Sequence, residues 1–520
     1  MALVNYSKLR VLIIEDFAIF SSALRGMLVQ YGIQEIEIAI SGEKALPLMT
    51  GNAFDIVLSD YNLGEGRNGN DLLEEAKQNK LLKSDCVYIM ITAENAAEMV
   101  MGALEYQPDE YLTKPFTKEV LHARLERLLT RREALLPIYR AIDKGNLIEA
   151  VKQCDSLMPM NPRYNSYLLK LKSELLIEQG DYTGCRDICQ QILMLKFIPW
   201  AQLGLGKTFY YQQQYDKAEK AFRQLLSVNS GYVHAWDWLA RCQEKTEDLQ
   251  GAQESLAAAV KISPISVSRQ SMLGQLALKN GDLEQAERAL QRSVKVGKFS
   301  VNRSPDNYLQ LADVISQRVE GVDAIKAKRM ERKALAAMDE LRSMYRGDGK
   351  IALASRLAEK QLYQAQGNES EAAHALMLAF DLCKKDKQGD IADAFKEQLI
   401  EQLEQSGQAD FAAELVGQMQ SGESQRNSEA AALYSNGDIA KALVVLELAI
   451  EENPRSFAIN LNLAQVAMHH MVQSGIDAEL MREVGMALSR VESLPAESKR
   501  FKVYQDLKAR FQKLQLKQQG

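Results

Sequence analysis

Five polar residues stand directly behind short apolar runs near the N-terminus, and their types suit one kind of chemistry. Glu15 and Asp16 follow Arg10–Ile14, Asp60 follows Phe54–Ser59, Thr92 follows Val87–Ile91, and Lys114 follows Glu110–Thr113. Three carboxylates a few ångströms apart repel one another. A divalent cation is their natural neutraliser, and an all-oxygen donor set favours Mg²⁺. A cation with open positions also takes phosphoryl oxygens, and a lysine and a hydroxyl nearby could hold the rest. Such a group is an electrostatic clamp for phosphoryl transfer to Asp60. Taken singly, a strand-end aspartate is more often a helix cap; the reading depends on all five meeting.

They meet only if the runs are parallel strands. A further run, Ile36–Ile40, has the same character, and helical spacing separates the runs, as in Leu24, Leu28 and Tyr31 or Leu121, Leu125 and Leu128. Five strands alternating with helices predict a doubly wound α/β domain with a parallel five-stranded sheet and crossovers on both faces. In such a sheet ligands bind beyond the carboxyl ends of the strands, where the polar residues collect.

These residues and their order resemble the receiver domain of two-component response regulators, over residues 7–130. The resemblance implies that Asp60, in LSDYNL, is the phosphoacceptor. It implies that Glu15 and Asp16, in IIEDF, hold Mg²⁺ together with Asp60 and the Asn62 backbone carbonyl. Thr92, in MITAE, corresponds to the switch hydroxyl, Tyr111, in EYLTKPF, to the rotating aromatic, and Lys114 to the family's lysine, with a cis bond expected before Pro115. The family commonly has Asp-Asp where this chain has Glu15-Asp16, a familiar variant. The loop LGEGRNGN at 63–70 is slightly longer than usual. Asn62 and Glu94 occupy positions that in receivers influence access of attacking water, and imply a short-lived phosphoryl group.

From about residue 134 the pattern becomes helical with a period of about 34 residues. Trp236, Leu239, Ala252, Ala259 and Pro264 set the register. One period back lie Leu205, Gly206, Phe209, Tyr215, Ala218 and Phe222; one period on lie Leu273, Gly274, Gly281 and Ala286. Gly180-Asp181-Tyr182, Gly145 with Ala150, Gly367 with Ala372, and Gly437, Ala442, Ala449 and Pro454 repeat parts of it. Small residues let two antiparallel helices approach closely, Gly-Asp or Gly-Asn supplies the turn, and Pro stops the second helix. The region resembles tetratricopeptide repeats, about seven or eight units over 134–480. We expect an N-terminal sub-array at 134–297, an irregular helical junction at 298–350 containing one long charged helix over Val322–Tyr345, degenerate repeats at 351–480, and capping helices with a basic tail at 481–520. The array reads as a scaffold and as a superhelix whose concave face binds peptides.

Composition narrows the function classes. Hydrophobic residues make up 46% of the 520 and charged residues 25%, which excludes wholesale disorder. Residues 1–130 carry 12 Lys+Arg against 19 Asp+Glu, and the remainder is nearly balanced, so no DNA-binding module is expected. Only Lys499–Lys517 is basic, with seven Lys+Arg and one Asp. No apolar run suffices to span a bilayer, the N-terminus does not read as a secretory leader, and six scattered cysteines fit a reducing compartment; a cytoplasmic, bacterial protein is expected.

Three look-alike motifs are set aside. Gly204-Leu-Gly206-Lys207-Thr208 resembles a phosphate-binding loop, but Ala201 stands where a glycine is needed and Gly206 occupies the small-residue slot of a repeat. Cys185 and Cys189 lack further ligands for a metal, and His469-His470 point different ways around a helix. The tail stripe Phe501, Tyr504, Leu507, Phe511 and Leu514 reads as a helix capping the array, with contact to an anionic membrane or to the acidic receiver as alternatives.

The sequence thus points to a phosphorelay response regulator without a separate output enzyme. A sensor histidine kinase or histidine phosphotransfer protein would phosphorylate Asp60. The change at Thr92 and Tyr111 would reach the face formed by the receiver's fourth helix, fifth strand and fifth helix, and the repeats would alter their grip on a protein or peptide. The alternative is a regulator or inhibitor of a sensor kinase or another response regulator, acting by binding or by phosphoryl competition.

Overall fold

A computed structural model of the chain describes residues 5–92, 108–319, 321–386, 391, 393–422, 425–452, 456–492, 494 and 498–518. It falls into two compact units, one reaching Asn307 and the other starting at Tyr308.

The first unit opens with strands β1 (Arg10–Ile14), β2 (Glu35–Ala39), β3 (Ile56–Asp60), β4 (Val87–Thr92) and β5 (Glu110–Thr113), all parallel, in the order β2-β1-β3-β4-β5. Helices α1 (Ala18–Gln30), α2 (Gly42–Gly51), α3 (Gly69–Gln78) and α4 (Lys118–Asp143) accompany them. Side chains alternate between the two faces. Val11, Ile13, Ile56, Leu58, Ile89 and Ile91 share a core with Leu24 and Leu28 of α1 and Leu121 and Leu125 of α4. Leu12, Ile14, Val57, Tyr88 and Met90 share the other with Ala45 and Met49 of α2 and Leu72 and Leu73 of α3. Burial on both faces is why the runs read as unbroken apolar stretches. Two strand bounds differ from the sequence reading. Ile40 lies beyond β2 and is exposed. β3 begins two residues after Phe54, because the Asp55 carboxylate turns back to accept the Arg10 N–H at 2.8 Å.

Helix α4 settles how the two architectures join. Thr117 caps it, and it runs for 26 residues without a break. Its first half buries Leu121, Leu125, Leu128 and Leu129 in the sheet core; its second half buries Leu135, Ile138, Tyr139 and Ala141 in the first helical-repeat core. The stretch 130–134, where the receiver pattern gives way to the repeat pattern, is thus the middle of one helix, and no loop separates the two.

The array continues with α5 (Leu147–Leu157), α6 (Asn165–Gln179), α7 (Tyr182–Leu195), α8 (Pro199–Tyr211), α9 (Tyr215–Val228), α10 (Val233–Lys245), α11 (Leu249–Ile262), α12 (Val267–Lys279) and α13 (Leu283–Val296). The small-residue slot is a contact slot: a Cβ on Gly206 of α8 would lie 2.3 Å from the Phe222 ring of α9, and one on Gly274 of α12 would lie 2.6 Å from Leu290 of α13. Gly206 therefore serves packing within a helix. Turns between paired helices need left-handed backbone. Gly180 and Gly281 supply it at φ 81° and 76°, but Gln213 and Glu247 hold the same conformation at φ 60° and 63°. A side chain there costs roughly 1 kcal/mol. Glu247→Gly should therefore stabilise the array by about 0.5–1 kcal/mol, read as a higher denaturation midpoint. An unchanged or lower midpoint would show that the turn carries no strain.

The chain proceeds through α14 (Pro305–Val319), α15 (Ala324–Met344), α16 (Gly349–Gln364), α17 (Glu369–Lys385), α18 (Asp393–Gln405), α19 (Ala409–Gly422), α20 (Gln425–Ser435), α21 (Ile439–Glu452), α22 (Phe457–Ser474), α23 (Ala478–Arg490) and α24 (Lys499–Gln518). The second unit has one core around Leu353, Leu376, Phe380 and Leu399 and another joining α21, α22 and α23. Tyr504, Leu507 and Leu514 of α24 are buried in that last core, which makes the tail stripe a packing surface. Pro454, used above to mark a repeat, lies outside the described residues. Among the described residues no helix is long and apolar enough to cross a membrane. The cysteines are free, and Cys185 and Cys189 are buried with their sulfurs 3.9 Å apart.

Candidate functional site

The carboxyl ends of β1, β3 and β5 bring the acidic residues and the lysine together. Glu15 continues β1, its N–H bonded to the Ala39 carbonyl at 3.0 Å, and it is 1% exposed. Asp60 is the last residue of β3 and Asp16 is exposed. Ligand oxygens of Glu15, Asp16 and Asp60 all lie within 4.8 Å of one another. Lys114 donates to Asp60 Oδ2 at 2.7 Å and to Glu15 Oε2 at 2.9 Å. Its position is set by the backbone, since its N–H reaches the Thr92 carbonyl at 2.7 Å, and by the Phe20 ring, whose centroid is 4.0 Å from Nζ. The Lys114–Pro115 peptide bond is cis.

The electrostatics are unequal. Burial pushes the Glu15 carboxyl upward, Asp60 adds to the push, and Lys114 works against it without reversing it. Burial also opposes the Lys114 charge, but hydrogen bonds to Asp60 and Glu15 outweigh it and hold its pKa above the usual value. The donor set is all oxygen, from carboxylates that one lysine only partly neutralises. It fits a small hard divalent cation such as Mg²⁺, which Glu15, Asp16 and Asp60 could hold.

Thr92 is buried at the end of β4, one residue past the partner of Asp60 in the strand register. Tyr111 sits on β5, partly buried, with its hydroxyl enclosed and without a hydrogen-bond partner among the described residues. Asn62 is exposed two residues past Asp60. Glu94, and the helix expected between β4 and β5, lie outside the described residues.

The loop after Asp60 holds features that the sequence reading did not single out. Arg67 pairs with Glu75 at 3.1 Å, and its N–H donates to Glu43 at 3.0 Å, which ties the loop to α2 and α3. Asn68 and Asp71 form a capping box at the start of α3. The Asn68-x-x-Asp71 spacing is a local signal for that cap. Burial pushes the Asp71 carboxyl up to about 6, Glu74 and Glu75 add to the shift, and the Asn68 N–H and Arg67 oppose it. Between the ordinary carboxyl range and about 6 the folded chain therefore binds more protons here than the unfolded chain. This contribution to stability is full below that window and is lost as pH rises through about 6. Asp71→Asn keeps a carbonyl acceptor for the cap and removes the buried charge. It should gain on the order of 1–2 kcal/mol over wild type near neutral pH, with the difference shrinking toward pH 5. Calorimetric unfolding of both proteins across that range checks it, and a difference independent of pH would refute the assignment.

Comparison with known proteins agrees with this geometry. The family described as response regulator receiver domain matches residues 11–126, and a tetratricopeptide repeat family matches residues 203–265. The chemotaxis protein CheY of Pseudomonas aeruginosa is 30% identical over 123 residues, which cover 24% of this chain and 98% of that protein. The chemotaxis protein CheY-3 of Vibrio cholerae is 32% identical over 123 residues, covering 24% of this chain and 93% of that one. Among solved structures, a CheY-like receiver domain protein from Methanospirillum hungatei is similar at 26% identity, covering 24% of this chain and 95% of that one, with a TM-score of 0.22. Likeness over nearly the full length of two curated relatives places this chain among the response regulators, as a receiver domain followed by tetratricopeptide repeats.

Proposed function

We propose that this chain is a phosphorelay response regulator whose output is protein binding. The receiver accepts a phosphoryl group on Asp60 from a histidine kinase or histidine phosphotransfer protein, and the added charge alters how the repeat array grips a protein partner. The observation that carries the reading is the placement of Asp60: its carboxylate touches Lys114 and lies beside Glu15 and Asp16. In the transfer an Asp60 carboxylate oxygen forms the new bond to phosphorus as the bond from phosphorus to the donor nitrogen breaks, or to the donor oxygen with acetyl phosphate. The donor leaves with that electron pair. Lys114 holds a phosphoryl oxygen and stabilises the charge that develops. Mg²⁺, when held by Glu15, Asp16, Asp60 and the Asn62 carbonyl, supplies the neutralisation these carboxylates require. Thr92 and Tyr111 are the side chains that respond, and the continuous α4 carries the response to the repeats without a flexible tether. No separate enzymatic output belongs to this reading, and a cytoplasmic site of action suits it.

Acetyl phosphate with Mg²⁺, followed by mass measurement and peptide mapping, tests the chemistry. The expected result is one phosphoryl group, on Asp60. Labelling elsewhere, or none, would overturn the reading. Capture of partners from the native cell with phosphorylated and unphosphorylated chain then tests the output. A partner retained equally by both would make the array a constitutive scaffold.

A further inference from the structure

Glu74 is a carboxylate with no part in the chemistry above, yet it is 4% exposed. It lies on α3, and its two oxygens are taken by residues far along the chain. Oε2 accepts the Ser300 hydroxyl at 2.7 Å, across 226 residues, and Oε1 accepts the Asn302 side-chain amide. Ser300 is 2% exposed, and its hydroxyl oxygen also accepts the Asn302 N–H at 3.0 Å. The loop between α13 and α14 is thus folded around this one carboxylate. One helical turn beyond Glu74, Lys77 is exposed, and its charge is felt by Asp109, Glu174 and Lys170. Helix α3 is thus hydrogen-bonded through Glu74 to the end of the first helical array, more than two hundred residues along the chain.

The same helix is fastened to the phosphoacceptor. The Gly69 N–H donates to the Tyr61 carbonyl at 2.9 Å, and the Tyr88 hydroxyl donates to the Gly69 carbonyl at 3.3 Å. A Cβ on Gly69 would lie 2.2 Å from the Asp60 carbonyl oxygen, so the first turn of α3 has no slack against β3. Glu74 is five residues on, about 7.5 Å along the helix axis. A buried carboxylate is tolerated only while its donors are held. A small displacement of α3 then breaks the contact outright. A phosphoryl group also adds negative charge next to a helix whose first turns already carry Asp71, Glu74 and Glu75.

We infer that α3 is an internal ligand of the repeat array: Glu74 clasps the 297–304 loop at the end of α13 in the unphosphorylated chain, and phosphorylation of Asp60 opens the clasp. The second half of this inference rests on the phosphorelay reading; the first half does not. Hydrogen exchange on the full chain separates them, with phosphorylation followed in parallel by intact mass. Without a phosphodonor, Glu74→Ala and Ser300→Ala should each raise amide exchange over 298–303 about tenfold above wild type, while β1 and β3 stay protected. Wild-type protection in both variants would overturn the clasp. With acetyl phosphate and Mg²⁺, wild type should rise to the level of Glu74→Ala, and Asp60→Ala should not change. Phosphorylated wild type that keeps its protection at 298–303 would overturn the opening. Absence of phosphorylation would overturn the phosphorelay reading, and the opening with it, while the variants alone still decide the clasp.

Discussion

Asp60→Ala should abolish phosphorylation by acetyl phosphate and Mg²⁺, where wild type should take up one phosphoryl group. The geometry favours this carboxylate over its two neighbours. Glu15 also touches Lys114, but its side chain is 2% exposed, against 10% for Asp60, so it is the less accessible of the two. Asp16 is open to solvent, but only Asp60 combines access with a lysine in contact. The variant should stay folded, because removing one of three like charges relieves repulsion and leaves Lys114 paired with Glu15. Loss of labelling is then a loss of the acceptor and not of the fold. Lys114→Ala should give the complementary result: Asp60 is still labelled, but the rate should fall on the order of 10²–10³, as expected for deleting one charge-stabilising donor. Labelling of Asp60→Ala at the wild-type level would falsify the assignment of the acceptor.

Arg132→Ala should destabilise the receiver end of the chain by about 3 kcal/mol. Arg132 Nη2 reaches Asp55 Oδ1 at 2.5 Å and Asp85 Oδ2 at 2.7 Å, and Nε reaches Asp85 Oδ2 at 3.0 Å. Burial opposes the guanidinium charge, but Asp85 and Asp55 overcome it and raise its pKa. Truncation removes the cation and strands two carboxylates beside each other, of which Asp85 is 10% exposed and Asp55 25%. That partial exposure sets the estimate at the lower end for a broken buried pair. The residue sits on α4 between Leu129, in the sheet core, and Leu135, in the first repeat core, so it is the fastening at the joint between the two architectures. Arg132→Lys should recover little, since a single ammonium cannot match the forked contact. Hydrogen exchange across β3 and α4 measures the effect in the full chain. A change under about 0.5 kcal/mol would show that the pairs are solvent-screened and carry no load.

The site was largely legible from the chain itself. Glu15, Asp60, Thr92 and Lys114 each follow a run whose β-branched content and abrupt polar end mark a strand terminus. Parallel pairing then leaves one edge for all of them. The helix pairs were legible for a similar reason: a slot that must be Gly or Ala recurs, and at Gly206 and Gly274 the facing side chains leave no room for more. Strand bounds were less legible: Ile40 lies beyond β2, and β3 starts only at Ile56. The change of pattern at 130–134 falls inside α4, since Leu128 and Leu135 lie seven residues apart on one helix and serve two cores.

Local rules decide which side of an element is buried, because strand and helix periods act over a few residues and the hydrophobic effect rewards the matching face. Strand ends, helix faces and the cluster of Glu15, Asp60 and Lys114 follow from them, and the sequence alone determined those. Polar partners across long separations follow from the angles and offsets at which whole helices stack. Glu74 with Ser300 and Asn302, and Arg132 with Asp55 and Asp85, leave no local trace: each is an ordinary charged residue on an amphipathic helix until the fold closes around it. Only the tertiary structure could decide those pairings, because a buried charge takes whichever donor or acceptor the packing brings within reach.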